Sequence, residues 1–270
     1  MRKAFCMLLL AGLVTAVLPH RAEALPLLWE ANWGTDLNVA DDVEFPITLG
    51  PSFPLFGTTY TEAFLSDNGF ISFGGTNGDG CCEGDVGWFL GAPGDSARSP
   101  RIAPTWIDLW GTGSADLYLN TSLTDRNVIT WASRRAQDTG ANVVQLQLLD
   151  SGVIIMGFAT FQKDNARGVG SILVGVTPAK GVLDPGSTNL FAGAINTGTE
   201  PTAYMMINAN HDNQPFNYND FNLVWTPNGT GGWEIAAFSS EVPEPGSFAL
   251  LGFGVTILAA VSRKRLVQTP

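Results

Sequence analysis

The sequence is poor in the residues that do chemistry. Of 270 residues, three are cysteine and two are histidine. Cys6 and His20 fall in a leader, so the body keeps only Cys81, Cys82 and His211. Zinc takes three or four Cys, His or carboxylate ligands, and no cysteine–histidine spacing here supplies them. A Ser-His-Asp triad would have to recruit His211 from Asn210-His211-Asp212-Asn213, and no G-x-S-x-G nucleophile elbow accompanies it. Basic charge is scarce too, with 14 Lys+Arg against 25 Asp+Glu. Each end holds three basic residues and one acid, which leaves the body 8 basic and 23 acidic residues, a net charge of −15. Such a surface repels nucleic acid and anionic membrane faces, and it accepts divalent cations and neutral glycans. A sustained 3.6-residue apolar period and a regular internal repeat are also missing, which speaks against helical bundles, propellers and solenoids.

The apolar runs sit at the two ends. Arg2-Lys3 precedes the stretch Ala4 to Leu18, and Ala22-Glu23-Ala24 follows as an A-x-A cleavage site. This is the pattern of a secretory signal peptide over residues 1–24, with Ala22 and Ala24 marking the cut. At the other end, Val242-Pro243-Glu244-Pro245-Gly246 leads into an uncharged run, Phe248 to Val261, and then Arg263-Lys264-Arg265. As a helix the run is roughly 21 Å long, short against a hydrocarbon core of about 30 Å. Gly252 and Gly254 weaken it further. The basic triplet is a membrane stop that stays cytoplasmic and leaves the body outside. Pro243 and Pro245 disfavour helix around Glu244 and keep that segment extended. An extended peptide beside a membrane stop suits a membrane-embedded processing enzyme.

This order of motif, apolar helix and basic cluster over residues 242–270 resembles the PEP-CTERM sorting signal. The resemblance implies recognition by an exosortase-type membrane protease, cleavage near the motif, and release or transfer to the surface of a Gram-negative bacterium that makes extracellular polysaccharide. The inner membrane is then engaged only transiently, through residues 248–261.

Residues 25–241 are left as one extracytoplasmic body. Short alternating runs separated by turn residues read as all-β. Glu62 to Leu65 and Phe70 to Phe73 flank Asp67-Asn68-Gly69, whose Asn-Gly supplies the positive φ of a tight hairpin. Residues 74–101 read as a Gly-rich loop. Further strands are expected at Ile102 to Trp106, Leu117 to Leu119 and Asn127 to Ala132, with Trp131 packing inward. Val143 to Leu149 and Val153 to Phe161 form the clearest hairpin. Val144, Leu146 and Leu148 face the core there, while Gln145 and Gln147 form a wet face. Ser171 to Val176, Tyr204 to Ile207, Leu223 to Trp225 and Trp233 to Ala237 complete the set. So many strands need a second sheet or closure. The expected fold is an antiparallel β-sandwich, with a closed barrel as runner-up, flanked by an N-terminal signal helix and a short C-terminal transmembrane helix.

These motifs, in this order, resemble the NIDO-type extracellular domain of nidogen and related adhesion proteins. The matching pieces are Asn68-Gly69-Phe70-Ile71-Ser72-Phe73-Gly74, Ile102-Ala103-Pro104-Thr105-Trp106-Ile107-Asp108, Val128-Ile129-Thr130-Trp131, Val143 to Leu148 with Asp150-Ser151-Gly152, and Leu173-Val174-Gly175-Val176. The resemblance implies a non-enzymatic adhesion or matrix module. Trp110 stands where the family often has a second acid, which weakens any cation-binding role for Asp108.

Several residues invite a functional reading. Cys81 and Cys82 are adjacent in an exported chain, and three states compete: a strained vicinal disulfide, bridges between copies, or free thiols. Asn77, Asp79, Glu83 and Asp85 surround that pair and offer oxygen ligands suited to Ca²⁺, but their spacing matches no EF-hand. Asp36, Asn38, Asp41 and Asp42 form a similar cluster, and both read as solvated acidic loops. Asp108 between Trp106 and Trp110 is a candidate glycan contact if all three share one strand face; the competing reading puts the tryptophans in the core. Carboxylate-pair hydrolysis of sugars is open on Asp108 among 23 body acids. Arg134-Arg135 reads as an exposed pair. Asn120-Thr121-Ser122 and Asn228-Gly229-Thr230 match a glycosylation pattern that carries little weight in a bacterium. The sequence therefore points to an exported surface or matrix protein without enzymatic activity or bound cofactor, whose partners are extracellular polysaccharide or neighbouring copies. The alternatives are a secreted carbohydrate-active hydrolase and an unprocessed membrane-anchored adhesin.

Overall fold

The computed structural model describes residues 28–76, 84–91, 98–110, 116–136, 141–161, 171–208 and 219–239, with the backbone alone for Trp110, residues 133–136, Ala141 and Asn208. The signal segment, the sorting segment, Cys81, Cys82, Asn77, Asp79, Glu83 and His211 lie outside them. No described helix is long and apolar enough to cross a membrane.

The described body is all-β and its strand pairs are antiparallel. A nine-stranded sheet runs in the order β1 (Thr35–Asp36), β7 (Leu117–Asn120), β8 (Arg126–Ala136), β9 (Ala141–Leu149), β10 (Ile154–Thr160), β14 (Phe221–Pro227), β15 (Trp233–Ser239) and β12 (Ile195–Asn196), with β6 (Leu109–Trp110) also paired to β8. A six-stranded sheet runs β13 (Ala203–Asn208), β11 (Ser171–Thr177), β5 (Arg101–Trp106), β4 (Phe70–Ser72), β3 (Thr58–Ser66) and β2 (Glu44–Leu55).

The inner faces of the two sheets share one apolar core, as a β-sandwich requires. Alternation supplies it: Val144, Leu146 and Leu148 of β9 meet Ile154, Met156 and Phe158 of β10 and, from the other sheet, Leu65, Ile71, Ile102, Val174 and Val176. β8 also fastens the layers. Trp131 is fully buried, and its Nε1–H donates to the Ser66 carbonyl at 3.0 Å. Four residues earlier Asn127 clips the irregular middle of β2, accepting from Gly50 N at 2.7 Å and donating to the Pro51 carbonyl at 2.8 Å.

The Asp67-Asn68-Gly69 turn joins β3 to β4 as expected, with Phe64 opposite Ser72 and Ser66 opposite Phe70. Its side chains are not on the surface, however; Asp67 and Asn68 are fully buried. Asp67 Oδ1 accepts from Val43 N at 2.9 Å. Asn68 Oδ1 accepts from Leu109 N at 2.6 Å, its backbone carbonyl accepts from Ile107 N at 3.3 Å, and its Nδ2 donates to Asp42 Oδ1 at 3.3 Å. Gly69 turns at φ 78°, and a Cβ there would lie 2.1 Å from the Thr105 carbonyl oxygen.

Two expectations are corrected. The loop expected over residues 74–101 contains a short helix, α1 (Val86–Leu90), capped by Asp85, whose Oδ1 accepts from Trp88 N at 2.8 Å. Gln145 and Gln147 are not wet. Each is 1 % exposed, because residues 28–34 cross the outer face of the nine-stranded sheet and cover them.

Removing Asn68's side chain strands a buried N–H at Leu109. Asn68→Ala is expected to cost about 2 kcal/mol in urea unfolding, whereas Glu62→Ala, exposed on β3, should cost well under 1 kcal/mol. Equal effects would contradict the fastening role.

Candidate functional site

Trp106, Asp108 and Trp110 do not share a strand face. Trp106 ends β5 in the six-stranded sheet, while Trp110 ends β6 in the nine-stranded one, opposite Arg135. The chain changes sheets across Ile107 and Asp108, at the corner that Asn68 holds. Asp108 is half-buried there. Trp106 is 1 % exposed and offers no open face for a sugar.

Trp106 instead belongs to a second apolar cluster, on the outer side of the six-stranded sheet under α1. Phe70, Phe89, Leu90, Ala103, Leu173 and Tyr204 complete it. Arg101 is drawn into this cluster although it is charged. It is 1 % exposed, and its guanidinium lies 4.7 Å from the Phe70 ring centre and 4.5 Å from that of Trp106. A desolvated cation on an aromatic face is worth about 2 kcal/mol. Tyr204 closes the edge, with its OH donating to Asp184 Oδ1 at 2.7 Å. Burial first, then that hydrogen bond and the Asp184 charge, hold its pKa far above the ordinary phenol value. These groups stack on one another beneath α1.

The other sequence candidates are used locally. Asp36 Oδ1 accepts from Asn38 N, and Asp42 takes the Asn68 amide. Asn120 is buried and donates to the Asn32 carbonyl at 2.8 Å, and Asn228 donates to Asn196 Oδ1 and the Gly198 carbonyl. The Asn120 amide is thereby enclosed, while Asn228 lies in an exposed turn. Arg134 and Arg135 lie on β8. Among the described residues, no three His, Cys, Asp or Glu gather as a metal site.

What the sequence did not reveal is the outer face of the nine-stranded sheet. Tyr118, Thr130, Gln145, Gly157, Asn222 and Phe238 form one row across β7, β8, β9, β10, β14 and β15. Residues 28–34 lie over it as a strap. Gln145 Oε1 accepts from Glu30 N at 2.8 Å, and its Nε2 donates to the Glu30 carbonyl at 3.0 Å. Gln147 Nε2 donates to the Leu28 carbonyl. Arg126 supports the ladder by donating to Gln147 Oε1 at 2.9 Å. Asp125 steadies that guanidinium; their hydrogen bonding lowers the Asp125 pKa and raises that of Arg126. Gly157 leaves room for the Trp29 ring, which would crowd a Cβ there at 3.1 Å.

The strap carries an aromatic chain. Trp29 meets Trp33 edge-on at 6.3 Å, and Trp33 meets Tyr118 at 5.3 Å. All three are half-buried, beside exposed Asn32 and Asp36 and half-buried Glu30. The sequence signal was present in Trp29-Glu30-Ala31-Asn32-Trp33-Gly34, two tryptophans among planar polar side chains. It is legible only once β7 is known to bring Tyr118 alongside.

Comparison with known families gives two matches. The family described as NIDO related matches residues 28–227, and the one described as PEP-CTERM protein-sorting motif matches residues 241–265. No curated protein and no solved structure matches the chain.

A phenol whose pKa is raised by folding stabilises the fold below its unfolded pKa of about 10, and that contribution fades as pH climbs beyond it. Thermal melts of Tyr204→Phe should therefore fall less steeply above pH 10 than those of the parent. An unchanged alkaline slope would remove Tyr204 from that role. Separately, Gln145→Leu with Gln147→Leu should free the strap, increasing Trp29 fluorescence quenching by iodide while the melt stays cooperative; unaltered quenching would contradict the ladder.

Proposed function

We propose, on the premise that the chain belongs to the NIDO-related family and carries a PEP-CTERM sorting segment, that it is a non-enzymatic structural protein of the extracellular matrix of a Gram-negative bacterium. The sorting segment supports processing by an exosortase and passage through the membrane to the cell surface. There the acidic two-sheet body binds extracellular polysaccharide or neighbouring copies. The observation that carries this reading is the sorting segment at 241–265, beginning two residues after the last strand ends at Ser239. The body before it spends its polar side chains on fastening: Asn68 and Asp67 in the corner, Asn127 between the sheets, Gln145 and Gln147 under the strap. Arg101 and Trp106, which chemistry could have recruited, are sealed under α1. That use of polar groups supports a structural role over a catalytic one. The net charge of −15 works against acidic polysaccharides and nucleic acid as partners.

Intact-mass analysis of protein recovered from the surface and the medium tests this reading. The expected chain starts at Leu25, ends near Val242 to Gly246, and lacks Arg263-Lys264-Arg265. A surface protein that keeps the basic triplet would contradict it, as would turnover of the host's polysaccharide that disappears in Asp108→Asn.

A further inference from the structure

We propose that the aromatic chain Trp29–Trp33–Tyr118, on the outer face of the nine-stranded sheet, is a binding site for a neutral hexose glycan. The inference rests on the matrix reading above and names the surface that would serve it.

Four observations lead to it. First, the strap holds two tryptophans and meets a tyrosine in one unbroken row, with ring centres 6.3 and 5.3 Å apart. The contacts are edge-on, with interplanar angles of 74° and 62°. Second, each of the three is only half-buried, whereas Trp131 and Trp225 in the core have no exposure at all. Aromatic side chains that bury one part and keep another in water are typical of recognition surfaces. Third, the support is rigid. Gln145 and Gln147 grip the strap carbonyls, Asn120 grips the Asn32 carbonyl, and Gly34 turns the chain at φ 84° with its α-carbon pressed against Leu119 and Asn120. A site held this way does not have to be ordered when ligand arrives. Fourth, the polar groups beside the rings are Glu30, Asn32 and Asp36, carboxylates and a carboxamide. One oxygen of each already accepts from a nearby backbone N–H, that of Asn32, Gly34 and Asn38 respectively, which orients the side chain; carboxylate and carboxamide oxygens have further lone pairs that take hydrogen bonds from sugar hydroxyls. Their negative charge, on a body at −15, repels uronate or sulfate groups, so the ligand is an uncharged glycan.

Trp88, the exposed tryptophan among the described residues, differs. It is 42 % exposed, but the Arg98 guanidinium already lies over its ring at 3.8 Å. It serves as the control.

Affinity electrophoresis of the full chain in detergent, in gels containing dextran, galactomannan or alginate, tests the site. The expected result is retardation by dextran or galactomannan and none by alginate. Trp33→Ala and Tyr118→Ala should each weaken retardation at least ten-fold, with the cooperative melt retained, and Trp88→Ala should leave it unchanged. If Trp33→Ala does not fold, the double variant Asn32→Ala/Asp36→Ala at exposed positions takes its place, with weakened retardation expected. The proposal is overturned if neither neutral glycan retards the chain, if alginate alone does, if Trp33→Ala and the double variant bind like the parent, or if the loss follows Trp88→Ala. A processed, surface-delivered protein that ignores both neutral glycans would sink this site and leave the matrix reading standing. Retardation by the full chain, together with surface-recovered protein that still carries Arg263-Lys264-Arg265, would do the reverse.

Discussion

Asn68 sits fully buried where the two sheets meet, and its two oxygens hold the chain as it passes from β5 to β6. The next residue must be glycine, since the Thr105 carbonyl occupies the place of a Cβ. The residue before, Asp67, holds Val43 at the start of β2. Ser66 receives the Trp131 indole from the opposite sheet. One four-residue segment thus fixes an edge strand, the crossing between sheets and the largest core side chain of β8. In a low-dielectric interior each of these bonds is strong, and losing one partner leaves the other stranded. The register of both sheets depends on this turn.

The same logic runs through the remaining polar interior. Asn127 ties the irregular centre of β2 to β8. The glutamines of β9 tie down residues 28–34. Arg101 is stacked between aromatic rings under α1. Among the described residues, these buried polar side chains hold layers together.

Much of the fold was legible from local pattern: β9 alternates Val144, Leu146 and Leu148 with Gln145 and Gln147, and β10 is a short apolar run beside it. The Asp-Asn-Gly turn and the inward Trp131 were legible for the same local reasons. β2 was not: Pro46, Pro51 and Pro54 argue against a strand, yet β2 is an edge strand, where a missing N–H is tolerated. Gln145 and Gln147 look wet because polarity along a strand cannot say which distant segment will lie over it. The helix α1 has five residues, too few to show a period. Alternation would put Trp106 and Trp110 on one face only along a continuous strand, and the change of sheet at Asp108 breaks that condition; for Trp106 the core reading is the one that holds. The aromatic site escaped for a related reason, since Trp33 and Tyr118 are joined only by the pairing of β1 with β7.

The central claim is that buried polar fasteners make the two sheets one cooperative body. Amide hydrogen exchange read residue by residue tests it most directly. The Leu109 and Val43 N–H groups, held by Asn68 and Asp67, should exchange only through global unfolding, as slowly as the centre of β9. Exchange at either position on the timescale of an open loop, while β9 stays protected, would contradict the account.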